Sequence, residues 1–478
     1  LWASRAGLSE EELLSITGLA PLQWAPIDLA LEEALGRNGN RLVFDHDYLR
    51  KAVEDRYLPT EEEVRQAHSV VADWFEAKDE WDERDSEELP WQLLQSNRLE
   101  GLRQILLSPW ILANLSEDRG AREVASLWLM AKEENEIELD ELINDGVTQA
   151  ISESSDEPDA CIWLIDHIAD VLEESGLHRE LLLRLRKTSC EMEESAPSNR
   201  SEKSLASSLQ WLGDTNREMG LYDKAEEAYR RCLLIRESLL GGEHPDTRST
   251  VNCLAKTLQD KGDQEQAEAY FRSNLEVSTR VLGFDHPDTL TDMNNLGLLL
   301  VRQGNLDEAE KLYRDSLGAM ERTIGKEDPD TLITISNLGV LLAERGDYEE
   351  AEDLLINCVE KQRKQMGNRH PNTLCTLHNL GTLFLYKGDY TRACSLLNNC
   401  IELTGADHPD TATSMKILGE IYEEMGDHEQ AEACYQGCFH IRDRILGSMH
   451  PETNHAAYLL ADFLSGQERL SEAIALRR

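Results

Sequence analysis

The chain has 478 residues and carries 92 acidic against 48 basic side chains, a formal net charge of −44. The acidic excess holds in residues 1–200 (45 acidic, 19 basic) and in residues 201–478 (47 acidic, 29 basic), which argues against nucleic-acid binding. No apolar run of the sequence reaches the ~18–20 residues of a membrane helix, so we expect no membrane span. The 40% hydrophobic content favours a folded chain over an acidic disordered one.

The first predicted domain covers residues 1–88 and mixes helices with a short strand. In chain order we predict helices over Glu10–Ile16 and Pro26–Leu35, a turn at Asn38–Asn40, a strand over Arg41–Phe44, and helices over His46–Arg56 and Glu61–Ala77. Ser9 and Glu12 form the capping-box pattern that opens the first helix. The order of helix, helix, turn, strand and helix resembles a winged-helix fold.

The segment from Phe44 to Arg50 resembles a family signature. It reads Phe-Asp-His-Asp-Tyr-Leu-Arg and is similar to the Met-His-Asp motif of STAND-type NTPases, the class of NACHT and NB-ARC switches. In that family the histidine contacts the nucleotide phosphate, so the resemblance implies nucleotide sensing by His46 and Asp47. Asp45 stands where the family has methionine. A histidine before a helix can equally be a cap or a core residue, and that alternative stays open.

Residues 89–200 are predicted to form a helical connector. The run from Leu89 to Leu94 begins a helical pair that resembles the segment after the winged helix in nephrocystin-type NACHT–TPR (tetratricopeptide repeat) proteins. Apolar residues at helical spacing between Ile162 and Leu172 indicate a packed helix.

Residues 201–478 repeat one pattern. A His-Pro pair, replaced once by Asp328-Pro329, recurs at intervals of 42, 42, 42, 38 and 42 residues. A leucine followed by Gly or Ala, and an alanine further along, keep the same intervals. The leucines are Leu212, Leu254, Leu296, Leu338, Leu380, Leu418 and Leu460. Three tracks in phase indicate a repeat array.

Each unit is predicted to be a pair of antiparallel helices. Proline suits the first helical turn, where its missing N–H is not needed, and the residue before it can cap the helix. The small residue after each leucine suggests close approach of the second helix, and a hairpin glycine supplies a left-handed turn. The pattern resembles the tetratricopeptide repeat, and its length and His-Pro-Asp-Thr opening resemble the kinesin-light-chain variety. We therefore predict a mainly α chain ending in an α-solenoid of about six full repeats and a partial seventh.

The resemblance also implies a binding groove on the first helices. In TPR arrays an asparagine one residue before the leucine commonly hydrogen-bonds an extended peptide, and Asn295, Asn337 and Asn379 hold this position here. The other predicted groove residues are Lys256, Asn294, Arg302 and His378. These side chains could instead face water or brace the next repeat, and that interpretation stays open. Kinesin-light-chain grooves bind acidic peptides with an aromatic anchor, whereas this array is itself acidic.

No catalytic motif is found. The sequence lacks Gly-x-x-x-x-Gly-Lys-Ser/Thr, His-Glu-x-x-His and Gly-x-Ser-x-Gly. We predict that this chain is not an enzyme and holds no cofactor, and that ADP or ATP would bind an NTPase domain upstream of Leu1. Cys434, Cys438 and His440 share one helix without a second ligand pair, so we predict no metal site. Ten irregularly spaced cysteines favour a reducing compartment, by default the cytoplasm.

Two functional hypotheses follow. In the first, the chain is the sensor part of a STAND NTPase, in which a protein or peptide ligand in the TPR groove is relayed through the winged helix to an upstream nucleotide switch. In the second, it is a passive TPR adaptor or scaffold. Because the chain starts at Leu1 and stops within a second helix, we expect a fragment of a longer polypeptide. Its uncapped last repeat also favours self-association.

Overall fold

The computed structural model describes residues 3–4, 7–20, 22–24, 35–38, 41–44, 47–78, 83–98, 101–102, 105, 158–175, 179–195, 202–405 and 408–476. The chain divides into two compact units, residues 1–200 and 201–478, and each is described by itself. The described residues are mainly helical, which confirms the predicted fold class.

The first unit combines a small sheet with helices. Its elements are β1 (Leu8–Ser9), α1 (Glu10–Thr17), β2 (Leu35–Asn38), β3 (Arg41–Phe44), α2 (Asp47–Tyr57), α3 (Glu61–Glu76), α4 (Glu83–Gln95), α5 (Pro158–Ser175) and α6 (Arg179–Ser195). The sheet is antiparallel, in the order β1-β3-β2. The capping box of Ser9 and Glu12 and the strand at β3 are confirmed.

One predicted boundary in this unit was wrong. The helix expected over Pro26–Leu35 does not end at Gly36, because Leu35 and Gly36 belong to β2 and pair with Phe44 and Val43 of β3. That pairing gives their backbone groups partners that a helix end would not. Residues 25–34 lie outside the described part of the chain.

The hydrophobic core among helices α3 to α6 contains residues from each of these four helices. Val71, Ala72 and Phe75 of α3 are buried against leucines of α4 and residues of α5. Arg186 of α6 is 1% exposed and bonds Asp170 and Glu173 of α5 at 2.6 and 2.9 Å. An ionised side chain this deeply buried is stable only when paired.

The second unit is a row of helical hairpins. Its helices are α7 (Glu202–Glu218), α8 (Tyr222–Leu240), α9 (Pro245–Lys261), α10 (Gln264–Leu282), α11 (Pro287–Arg302), α12 (Leu306–Thr323), α13 (Pro329–Arg345), α14 (Tyr348–Met366), α15 (Pro371–Tyr386), α16 (Tyr390–Thr404), α17 (Pro409–Glu424), α18 (His428–Leu446), α19 (Pro451–Gly466) and α20 (Leu470–Leu476). Consecutive pairs form repeats 1 to 7, each with a first and a second helix.

In the His-Pro-x-Thr opening, the first residue caps the helix and the threonine bonds the preceding loop. His286 Nδ1 accepts the backbone N–H of Asp288 at 3.2 Å, and Asp328 does the same for Asp330 at 3.0 Å. This explains why Asp328 replaces histidine without disturbing the repeat. The threonine hydroxyl two residues after the proline donates to a glycine carbonyl six residues upstream, as Thr289 does to Gly283 at 2.8 Å.

The small residue after each leucine lets the two helices of a repeat touch. A Cβ placed on Gly297 would lie 2.7 Å from Cε1 of Tyr313, so the ring packs directly on the backbone. Gly339 meets Leu355 at the same distance. The shortened interval also has a simple origin, because α16 has 15 residues where α14 has 19, a difference of about one helical turn.

Candidate functional site

The first helices of successive repeats lie closer together than the second helices do. Short polar side chains bridge the first helices: Asn294 Nδ2 donates to Thr334 Oγ1 at 2.6 Å. Long side chains bridge the second helices, as when Arg272 reaches Glu308 at 2.8 and 2.9 Å. The array therefore curves with its first helices on the short, inner side, as expected for a solenoid. We call their solvent-exposed side the inner face.

Three predicted groove residues are engaged in bridges between repeats. Besides Asn294, His378 lies buried with Nε2 at 2.7 Å from Ser414 Oγ, and Asn379 Nδ2 donates to Ser336 Oγ at 3.0 Å. Burial lowers the pKa of His378. These side chains brace neighbouring repeats, which is the second of the two interpretations that the sequence left open.

The other four predicted groove residues form no bridge between repeats among the described residues, and they differ in how open they are to solvent. Lys256 and Arg302 are exposed, and neither forms an ion pair within the described part of the array. Asn337 is half-buried and makes no hydrogen bond to any described residue. The amide nitrogen of Asn295 is sealed from solvent and lacks a partner among the described residues. Asn337 is thus the asparagine whose amide remains open to a ligand.

Large apolar side chains are exposed on the same face, and the sequence analysis missed them. Leu298 of α11 is 40% exposed and Tyr386 of α15 is 49% exposed. Burial raises the pKa of the Tyr386 phenol, and the carboxylates of Glu344 and Glu420 raise it further. Burial alone raises the pKa of Glu344. The repeat register alone does not reveal this set, because Glu344 and Tyr386, one period of 42 residues apart, differ in residue type.

A second periodic feature lies at the repeat interfaces. At three of the interfaces between described repeats, the glutamate after the alanine of a second helix pairs with a cation at the end of the next first helix. The pairs are Glu226 with Lys261, Glu310 with Arg345, and Glu352 with Lys387. These bonds hold the pKa of Glu310 below its usual value, chiefly through Arg314 and then Arg345. These ion pairs link consecutive repeats.

The predicted nucleotide-sensing residues are only partly placed. Asp47 is the first residue of α2, and His46 lies outside the described residues. Across the described ranges, no group of three or more His, Cys, Asp or Glu side chains could hold a metal ion. No helix within those ranges is long and apolar enough to cross a bilayer.

The fold and the inner face define an α-solenoid of helical hairpins. A tetratricopeptide repeat family model matches residues 204–273, 247–322, 330–404, 384–438 and 410–476, together more than half of the chain. The chain belongs to the tetratricopeptide repeat family, whose repeats are of the protein-interaction type.

A curated relative and two solved structures resemble parts of the chain. A TPR repeat-containing protein of Dictyostelium discoideum is 26% identical over 131 residues, which are 27% of this chain and 8% of that protein. The chain therefore matches less than a tenth of that relative's length. A putative kinesin light chain of Podosopora anserina with TPR-like repeats is 23% identical, with a TM-score of 0.36, over 43% of this chain and 96% of that one. A STAND protein with a tetratricopeptide repeat sensor from Pyrococcus horikoshii is 14% identical, with a TM-score of 0.42, over 98% of this chain and 63% of that one.

Proposed function

We propose that the array binds an extended segment of a partner protein along the inner face of repeats 3 to 5. The observation that carries this proposal is the exposure of Leu298 (40%) and Tyr386 (49%) on first helices that flank the open amide of Asn337. Exposed apolar side chains beside hydrogen-bonding groups are typical of binding surfaces. The apolar groups supply binding energy, and Asn337 can pair with a peptide backbone.

A peptide library displayed against the full chain tests this proposal. Leu298→Gln should strongly weaken binding of the enriched peptides, because it removes an exposed apolar side chain from this surface without adding a charge. The matched control is Leu239→Gln in the second helix α8, where the leucine is 45% exposed. If both variants bound the peptides equally well, the contact surface would lie elsewhere on the chain.

We further propose that the first unit relays ligand binding to a nucleotide switch encoded upstream of Leu1. The support is the three-stranded antiparallel sheet flanked by α1 and α2, which fits the winged-helix interpretation of residues 1–88. No cofactor and no catalysis are proposed for this chain itself. The cytoplasm is the proposed location, in keeping with ten cysteines that are all free thiols.

The relay is distinguished from a passive adaptor by thermodynamic reciprocity. In a polypeptide extended upstream of Leu1, a selected peptide should bind with different affinities in the presence of ADP and of a non-hydrolysable ATP analogue. Equal affinities would leave the adaptor function. His46→Ala and Asp47→Ala should remove the difference without changing peptide binding to the isolated chain.

A further inference from the structure

The last turn of the first helix presents an acidic or aromatic residue in three successive repeats. Glu344, Tyr386 and Glu424 are separated by 42 and 38 residues, the local repeat period, so they hold equivalent positions. Packed helices lie about 8–10 Å apart. A chain lying across these helices therefore meets a carboxylate, a phenol ring and a second carboxylate in turn.

The aromatic ring of Tyr386 is exposed to solvent and lies near negatively charged carboxylates. It is 49% exposed, and the carboxylates of Glu344 and Glu420 both act on its hydroxyl. The face of a tyrosine ring attracts cations, and nearby carboxylates strengthen that attraction. An arginine or lysine side chain is the ligand group that satisfies ring and carboxylates together.

Two carboxylates of this surface, those of Glu344 and Glu424, are not neutralised by a cation among the described residues. Glu420 differs from them, because it pairs with Lys416 at 3.5 Å. The interface glutamates are different, since Glu352 is bonded by both Lys387 and Arg392. The inner face of repeats 4 to 6 thus retains negative charge that a partner can neutralise.

We infer that the partner is an extended segment whose arginine or lysine residues lie on Glu344, Tyr386 and Glu424. A guanidinium group suits this surface best, because it pairs with carboxylates in a planar fork and stacks on aromatic rings. An acidic segment would instead be repelled by Glu344 and Glu424, and the exposed cations that could attract it, Lys256 and Arg302, lie on repeats 2 and 3. The inference rests on the proposed function and adds the chemistry of the partner to it.

Selection from a random peptide library on the full chain separates the two proposals. Enrichment of peptides with a net positive charge, whose binding weakens with salt and in Leu298→Gln, supports both. Enrichment of acidic or uncharged peptides that still depend on Leu298 overturns the basic-partner inference and leaves the proposed function standing. Absence of any Leu298-dependent peptide overturns the proposed function itself.

Charge variants then locate the contact, because a chain this acidic attracts any cation weakly. Glu344→Gln combined with Glu424→Gln should weaken a selected basic peptide about tenfold. Glu265→Gln combined with Glu349→Gln changes the net charge equally but lies on the exposed sides of the second helices α10 and α14. This control should leave affinity unchanged. An equal loss in both double variants would mean general attraction and would overturn the inference.

Tyr386 provides the second measurement. Tyr386→Phe keeps the ring and should keep binding, whereas Tyr386→Leu keeps apolar area without a π face and should weaken arginine-containing peptides. Because the side chain at position 386 is half-exposed, the fold should tolerate both substitutions, and thermal melting should show both variants folded. Equal affinities of the Phe and Leu variants would show that the aromatic ring does not contribute to the recognition of cations.

Discussion

The imidazole of His450 bonds the backbone carbonyl of Glu218, which lies 3.1 Å from Nε2 and 232 residues earlier in the chain. A carbonyl only accepts, so Nε2 donates, and Nδ1 accepts the N–H of Glu452 at 3.1 Å. Beside this bond, a Cβ placed on Gly220 would lie 2.2 Å from Cδ of Pro451. The first hairpin therefore packs on the start of repeat 7, and the array completes one closed turn.

Removing His450 should open this turn. His450→Ala loses the helix cap, which is worth about 0.5–2 kcal/mol, and also the bond to repeat 1. We expect faster amide hydrogen exchange around residues 219–222 together with a larger radius of gyration in X-ray scattering. His286→Ala is the control, because that half-buried histidine caps α11 without a hydrogen bond to a distant described repeat. Similar exchange at residues 219–222 in both variants would contradict a closed turn.

His378 should make the array less stable in mild acid. Burial lowers its pKa from 6.5 in the folded state, so the unfolded chain takes up the proton first as the pH falls. Stability from the uncharged ring is complete above 6.5 and declines below that value until the folded pKa is reached. His378→Asn places an amide at this bridge, as Asn294 does two repeats earlier. Urea unfolding at pH 7.5 and 5.5 should show a smaller loss of stability, by up to about 1.4 kcal/mol per pH unit, in the variant.

The same loss of stability in wild type and His378→Asn would show that other groups cause the acid sensitivity. Carboxylates such as Glu310 act in a separate pH range. Their folded pKa is lowered from 4.5 by ion pairs, so their stabilisation is complete above 4.5 and is lost only as the pH falls further.

The contact between Gly297 and Tyr313 predicts opposite results for two glycine substitutions. Gly297→Ala should destabilise the array by about 1–3 kcal/mol, because the added methyl group overlaps the ring. Gly318→Ala should stabilise it by about 0.5–1 kcal/mol, because alanine favours helix. The nearest atom to its methyl group would be Arg322 Nη1 at 3.7 Å. Chemical denaturation measures both, and equal shifts would contradict the packing argument.

The repeat period predicted the hairpins, their caps and their close contacts, because each depends on residues that recur in every unit. His286 and Asp328 exchange freely since either supplies an acceptor for the second residue beyond it. The period could not assign Asn294 or His378 to a bridge, because that depends on which side chain the next repeat offers. Thr334 and Ser414 place small hydroxyl groups within hydrogen-bond distance of these side chains, whereas Asn337 meets no such partner among the described residues.

The repeat pattern also did not predict the exposed surface around Tyr386. Tyr386 occupies a register in which the neighbouring repeats carry Glu344 and Glu424, so it leaves no periodic track. Its significance depends on its exposure and on the carboxylates around it, which are properties of the packed array. Sequence patterns detect what repeats share, and binding surfaces are made from what repeats do not share.

The interface between repeats 5 and 6 lacks the glutamate–cation pair that joins repeats 1 and 2, repeats 3 and 4, and repeats 4 and 5. Cys394 and Met425 hold the positions that Glu352 and Lys387 hold one repeat earlier. Cys394→Glu with Met425→Lys should therefore create a new pair, with a coupling energy of about 0.2–1 kcal/mol. A double-mutant cycle by urea unfolding measures this coupling, since each single variant adds one unpaired charge.

The size of that coupling should depend on salt and pH in the manner of an ion pair. High salt should reduce it because the pair is partly exposed, and acid below about 4.5 should abolish it as the glutamate becomes protonated. Cys394→Gln, with Met425 left unchanged, gives a neutral reference of similar size. A coupling of zero, or one that high salt leaves intact, would show that the shorter helix α16 holds these two positions too far apart to pair.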